Sequence, residues 1–196
     1  MNYTGCRPLS DGEIEQILMG CQGRYASRDR LLILFGVHTG YRISEILSLR
    51  VSDVWDGEQV RPIVRIAAGF MKGKSQSRAM PLHARAKNAI QTWLWETGKT
   101  IPACGTLPLF SCQQTSRPLS RRQAADILVG AAEAAGIDAS RVATHTLRKS
   151  FARRMWESPL VERDPAKMAR LLGHANWSNT LRYLEFADEL DAAVLA

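Results

Sequence analysis

Four separated segments of the chain carry side chains that could react with a phosphodiester. In chain order they are residues 39–45, a basic segment around Lys72 and Lys74, residues 145–148, and residues 171–183. They supply arginine, lysine and histidine side chains and a late tyrosine. Attack on a phosphodiester requires that charge on the two non-bridging oxygens be stabilised and that the departing sugar oxygen be protonated. These residue types can meet both needs without a metal ion.

Arg42 and Arg148 are the candidates for holding the phosphate. A guanidinium group stays protonated, and its planar set of donors matches two phosphate oxygens. A single arginine taken alone is more often part of a surface ion pair, so the assignment depends on the sequence around both residues. His145 lies three positions before Arg148 and would share its face of a helix. Glu45 either orients Arg42 or is an ordinary exposed partner one helical turn away.

Tyr183 is the candidate nucleophile. A tyrosine hydroxyl has a pKa near 10 and needs a hydrogen bond or a base to become nucleophilic at neutral pH. Its attack would leave a covalent phosphotyrosine, which conserves the energy of the broken bond for resealing. His174 directly follows Gly173 and stands nine residues before Tyr183. The alternative for Tyr183 is a core aromatic residue that packs with Leu184 and Phe186.

Composition favours a soluble protein with a polyanionic partner. The 196 residues are enough for one domain, and 26 Lys and Arg against 19 Asp and Glu give a formal net charge of +7. Positive charge favours nucleic acid because each neutralised phosphate releases counterions. The chain shows no membrane span. The cysteines lack CxxC spacing, so we expect no zinc site; they are Cys6, Cys21, Cys104 and Cys112. Scattered free cysteines in a chain without a signal peptide favour a reducing cytoplasm. We expect no cofactor.

Turn and capping signals predict the elements that position these residues. A capping box at Ser10 opens the first helix, a second runs from about 27 to 38 and stops at Gly40, and a third begins near Arg42. Residues 60–70 alternate as a strand that leads to a hairpin tip at 72–76 and returns through 77–81. The two lysines would therefore lie at the tip.

The second half of the chain is predicted to be helical. Residues 83–96 form a helix, residues 97–116 are a loop, and a capping box at Ser120 opens a helix that ends at Gly136. Thr144 is expected to cap the helix with His145, and Asp164 to cap one that stops at Gly173. Ser178 would cap the segment that contains Tyr183, and residues 188–196 would form a short terminal helix. The predicted fold class is mainly α with a small antiparallel β-sheet (α+β).

These motifs resemble those of the tyrosine recombinase, or phage integrase, family. The segment TGYRISEIL at 39–47 resembles the box around the family's first arginine, and THTLRKSFA at 144–152 resembles its His-x-x-Arg box. The segment LLGH at 171–174 and Tyr183 resemble the last box. The resemblance spans about residues 9 to 186 and implies the catalytic-domain fold of that family.

The resemblance also implies roles for the residues. Arg42 and Arg148 would bind the scissile phosphate, His145 and His174 would assist proton transfer, and Tyr183 would be the nucleophile. The family's hairpin lysine protonates the leaving 5′ oxygen. The spacing to Pro81 fits neither candidate without a shift of one residue, and Lys72 is favoured over Lys74 because it ends the strand.

The expected protein is therefore a site-specific DNA recombinase or integrase of a mobile element. Residues 1–196 are interpreted as the catalytic domain with no separate N-terminal core-binding domain: either a fragment or a compact form like the fimbrial phase-switch recombinases. Double-stranded DNA is the expected partner. By resemblance, a homotetramer would assemble on DNA through the C-terminal helix, with accessory DNA-bending proteins. The alternatives are a DNA-binding regulator derived from a recombinase and a type IB topoisomerase-like enzyme.

Overall fold

The computed structural model describes residues 5–67, 77–112, 117–173 and 180. Within these ranges the chain forms α-helices and one two-stranded antiparallel sheet. The elements are α1 (Asp11–Gly20), α2 (Ala26–Thr39), α3 (Ile43–Leu47), α4 (Val51–Val54), β1 (Ile63–Ile66), β2 (Arg78–Pro81), α5 (Ala84–Glu96), α6 (Arg121–Ala134), α7 (Thr144–Trp156) and α8 (Pro165–Leu172). The predicted fold class, mainly α with a small antiparallel sheet, is confirmed.

The capping signals mark the helix ends as the sequence predicts. The Ser10 hydroxyl accepts from the Glu13 amide at 3.2 Å, and the Glu13 carboxylate accepts from the Ser10 amide at 2.9 Å. Ser120 begins α6 with the same reciprocal arrangement. The Asp164 carboxylate caps α8, and Gly173 ends it in the left-handed region at φ 63°. Gly40 ends α2 in the same way, at φ 60°.

Three local predictions differ from the structure. Thr144 is the first residue of α7 rather than its cap, and Thr146 instead accepts a hydrogen bond from the Ala143 amide at 3.1 Å. The short helix α4 was not predicted, because four residues are too few to show helical periodicity. The first strand is confined to Ile63–Ile66 within the described residues. The hairpin tip, the cap at Ser178 and the terminal helix fall outside the described residues.

The helix α2 lies at the centre of the fold. Its residues from Leu31 to Val37 are all buried, as expected of a helix that is surrounded by other elements. It packs against α5 and against α7, while α1 packs against α6. Gly36 allows close packing on α7, because a β-carbon there would lie 2.8 Å from Leu147 Cβ. This contact sets the distance between α7 and the end of α2, where the first predicted arginine follows.

The sheet covers the other side of the α2 terminus. The pairs run from Ile63 opposite Pro81 to Ile66 opposite Arg78, and Val64 and Met80 point into the core. Among the described residues, no helix is both long and apolar enough to cross a lipid bilayer. The fold therefore brings the end of α2, the start of α3, β2, α7 and the end of α8 to one region.

Candidate active site

Arg42 lies between α2 and α3 and is held by Glu45. Its guanidinium donates from Nη1 to Glu45 Oε1 at 2.8 Å, and its backbone amide donates to Glu45 Oε2 at 2.7 Å. The Glu45 side chain is fully buried, whereas the Arg42 side chain is 22% exposed. One carboxylate therefore fixes both the backbone and the head group of Arg42. Of the two sequence-based interpretations of Glu45, the exposed partner does not fit this burial.

Arg148 lies on α7 and is almost completely buried. Its Nη1 donates to the Gly40 carbonyl at 2.5 Å, and its Nη2 donates to the Leu172 carbonyl at 2.5 Å. Gly40 precedes Arg42 by two residues, and Leu172 is the last residue of α8. The side chain thus connects the first arginine segment to the segment that continues into His174. These contacts use two of the five N–H donors of the guanidinium.

His145 stands on the exposed face of the same helix. Its pKa is lowered, first by partial desolvation against the protein surface and then by the positive charges of Arg148, Arg42 and Lys149. The ring is therefore more fully neutral at pH 7 than an ordinary histidine, and it can accept a proton. His145 and Arg148 lie on one helix, and Arg148 binds the Gly40 carbonyl two residues before Arg42, so the fold brings the three residues to one region.

The sequence-based reasoning missed Arg78 on β2. Its Nη1 donates to the Leu172 carbonyl at 3.2 Å, its Nη2 donates to the Thr39 carbonyl, and its guanidinium lies 4.3 Å from the centre of the Tyr41 ring. Desolvation lowers its pKa to about 10, so it remains charged at neutral pH. The signal in the sequence is the strand alternation, because Arg78 shares the buried face of β2 with Met80. A charged residue on an apolar face needs buried partners.

The other predicted site residues fall outside the described residues. They are Lys72, Lys74, His174 and Tyr183. The last described residue before His174 is Gly173, at the end of α8, next to the carbonyl that Arg78 and Arg148 share. In the described part of the chain, no group of His, Cys, Asp and Glu side chains could hold a metal ion.

Comparison with known proteins identifies the family of the chain. The model of the phage integrase family matches residues 7–189. The chain is 30% identical over 181 residues to the probable integrase/recombinase YoeC of Bacillus subtilis, covering 92% of this chain and 88% of that one. It is 32% identical over 181 residues to the type 1 fimbriae regulatory protein FimE of Escherichia coli K12, covering 90% and 84%.

Solved structures give the same result for the fold. The XerH site-specific recombinase bound to a palindromic difH substrate, in a post-cleavage complex, superposes with a TM-score of 0.74 at 25% identity. The match covers 98% of this chain and 53% of the XerH chain, so the present chain spans about half the length of that recombinase. The chain therefore belongs to the phage integrase family, as a site-specific recombinase of the tyrosine class with its catalytic-domain fold.

Proposed function

We propose that the chain breaks and rejoins DNA strands through a 3′-phosphotyrosine intermediate, without a metal ion or a nucleotide. The Tyr183 oxygen forms a bond to phosphorus, and the bond from phosphorus to the 5′ oxygen of the next nucleotide breaks. The tyrosine loses its proton and the 5′ oxygen gains one. Because one phosphoester replaces another, a 5′ hydroxyl of the same or another strand can reverse the step.

The observation that carries this proposal is the convergence of Arg42, His145 and Arg148 at the end of α2. Arg148 is fixed by the carbonyl of Gly40, two residues before Arg42, and Arg42 is fixed by Glu45. Two guanidinium groups oriented before the substrate arrives need little reorganisation as charge develops on phosphate. Such preorganised charge supplies what a metal ion would otherwise bring.

The remaining roles follow from the residue types and from the family. His145 is held largely neutral and would accept a proton or donate a hydrogen bond to phosphate. Lys72 would protonate the leaving 5′ oxygen, with Lys74 as the alternative, and His174 would complete the phosphate site. Glu45 would orient Arg42 without contact to DNA.

Double-stranded DNA is the proposed substrate and partner. The XerH structure similar to this chain is a complex with its difH substrate, and the net charge of +7 supports binding to a polyanion. We also propose a homotetramer on DNA that forms through the C-terminal segment, with accessory DNA-bending proteins. The assignment of residues 1–196 to one catalytic domain stays a prediction.

The arginine pair can be tested by substitutions that keep the charge. Arg42→Lys and Arg148→Lys remove the planar donor set, so the rate of strand cleavage should fall about 100-fold or more, as for loss of one donor to a developing oxyanion. DNA affinity should change by less than about threefold, because each variant keeps its positive charge.

The assay uses a suicide duplex, which is a nicked duplex built on the sequence that the full chain selects from a randomised pool. Single-turnover cleavage and equilibrium binding are measured on this same duplex. Arg153→Lys is the matched control, because Arg153 lies on α7 but pairs at the surface with Glu157 at 2.9 Å. Cleavage by Arg42→Lys or Arg148→Lys at the rate of the Arg153→Lys control would refute the proposed site.

A further inference from the structure

The buried arginine on β2 is unusual for a core position. Only 8% of Arg78 is exposed, and desolvation is the largest influence on its pKa. Its Nε is buried and makes no hydrogen bond within the described ranges. An apolar side chain of similar volume would often be at least as stable in such a place. Stability of the core alone therefore does not account for a charge here.

The contacts of Arg78 run parallel to those of Arg148. Both guanidinium groups donate to the Leu172 carbonyl at the end of α8. The second donor of each reaches the end of α2, where Arg78 binds the Thr39 carbonyl and Arg148 binds the Gly40 carbonyl. Two cations from different elements thus join the same two backbone segments. Each segment leads directly into a predicted catalytic residue, Arg42 in one case and His174 in the other.

Tyr41 contacts Arg78 through both its ring and its hydroxyl group. The Arg78 guanidinium lies over its ring, and the Tyr41 hydroxyl donates to the backbone carbonyl of Arg78 at 2.7 Å. Burial raises the pKa of Tyr41 to about 12, so the hydroxyl keeps its proton and remains a donor. Tyr41 is the residue before Arg42. A shift of Arg78 would therefore move the backbone that carries the first arginine.

We propose that Arg78 is a positioning residue that sets the distance between the Arg42 segment and the end of α8. It acts through the carbonyls of Thr39 and Leu172 and does not contact DNA. This inference rests on the proposed function, because it gives Arg78 a role in assembling the phosphate site. If a substitution removes the hydrogen bonds of Arg78 to these two carbonyls, the cleavage rate should fall while DNA affinity changes little.

The substitutions Arg78→Lys and Arg78→Met separate the charge from the geometry. Lysine keeps the charge, but its single ammonium cannot span both carbonyls as the guanidinium does, and methionine keeps an apolar stem without charge. We expect each variant to reduce single-turnover cleavage of the suicide duplex about 10- to 100-fold at saturating protein, in line with the effect of a small misplacement of reacting groups. Binding to the same duplex should stay within about threefold.

Arg28 provides a matched control within the same fold. It is 6% exposed, lies 4.6 Å from the centre of the Tyr25 ring and pairs with Asp29 at 2.8 Å. It stands near the start of α2, about 17 Å from the Thr39 end by helical rise. Arg28→Lys should lower the midpoint of urea unfolding as much as Arg78→Lys does, yet it should leave the cleavage rate unchanged.

A double substitution tests the shared carbonyl. If Arg78 and Arg148 act through Leu172, the combined Arg78→Lys and Arg148→Lys variant should lose less activity than the product of the single losses. In the combined Arg28→Lys and Arg148→Lys variant, the loss of cleavage rate should equal the product of the two single losses. Independent effects of Arg78 and Arg148 would contradict the positioning role.

The outcomes distinguish this inference from the proposed function. If Arg42→Lys and Arg148→Lys lose cleavage but Arg78→Lys behaves like Arg28→Lys, the positioning role is wrong and the proposed function stands. If Arg42→Lys and Arg148→Lys both cleave normally, the proposed function is wrong. If neither Arg78 variant folds while Arg28→Lys does, Arg78 serves the core, and the proposal is overturned.

Discussion

Gly36 offers a direct test of how helix packing controls the site. It lies inside α2, and a β-carbon at this position would meet Leu147 Cδ1 at 2.7 Å and Leu147 Cβ at 2.8 Å. The Cβ atom of Leu147 cannot rotate away from this contact. Unstrained carbon atoms sit about 3.5–4.0 Å apart, so α7 would move by about 0.7–1.2 Å in Gly36→Ala. Arg148 follows Leu147 and would move with it.

Two opposing contributions set the change in stability. Overpacking a close contact costs about 1–3 kcal/mol, and replacing glycine by alanine in a helix returns about 0.5–1 kcal/mol. We therefore expect Gly36→Ala to lower the free energy of unfolding by about 1–2 kcal/mol. A displacement near 1 Å in a catalytic group can cost about 100-fold in rate. Cleavage should fall by about that factor, well beyond the loss of folded protein.

Gly130→Ala is the control, because Gly130 lies inside α6 and a β-carbon there meets nothing within 4 Å. It should raise the free energy of unfolding by about 0.5–1 kcal/mol and leave cleavage unchanged. Urea unfolding and single-turnover cleavage of the suicide duplex give both quantities for each variant. If Gly36→Ala cleaves at the wild-type rate and is as stable as Gly130→Ala, the packing of Leu147 on Gly36 does not set the position of Arg148.

Three further predictions concern single groups. Glu45→Gln keeps the shape of the side chain but not the charge that holds Arg42, so the cleavage rate should fall about tenfold while DNA affinity stays unchanged. Cleavage at the wild-type rate would exclude an orienting role for Glu45. A 5′-bridging sulfur substrate, whose leaving group needs no proton, should rescue Lys72→Ala but not Lys74→Ala, and the reverse result would exchange their roles. Burial lowers the pKa of His38 to about 3, so the unfolded state alone takes up this proton as the pH falls below about 6.5. The stability contributed by neutral His38 is therefore fully present above that pH. At pH 5 the free energy of unfolding should be lower by about 1 kcal/mol, after a discount for solvent screening. This loss should be smaller in His38→Gln when unfolding is measured across an acid titration.

Local signals in the sequence predicted most of the helix ends. A capping residue and a glycine stop act within one turn of the chain, so Ser10, Ser120 and Asp164 could be read without knowledge of the fold. Gly40 and Gly173 were predicted for the same reason, and both adopt positive φ. The cap at Thr144 was predicted one position late. The capping residue is Ala143, which has no side-chain acceptor, and Thr146 accepts a hydrogen bond from its amide.

The contacts that assemble the site could not be predicted in this way. Arg78 and Leu172 are 94 residues apart, and Arg148 and Gly40 are 108 residues apart. Partners at such separations depend on how α7, α8 and β2 pack around α2. The burial of Glu45 has the same origin, since its spacing from Arg42 is compatible with either a surface or a core position.

The most direct test of the proposed reaction is the chemical identity of the protein–DNA intermediate. The suicide duplex is incubated with the full chain in excess chelator, and the trapped product is digested and analysed by mass spectrometry. We expect a 3′-phosphate joined to the peptide that contains Tyr183, and no adduct for Tyr183→Phe although this variant still binds the duplex. The proposed reaction is excluded by attachment to another residue, by strand cleavage in Tyr183→Phe, or by cleavage that stops in chelator and returns with magnesium.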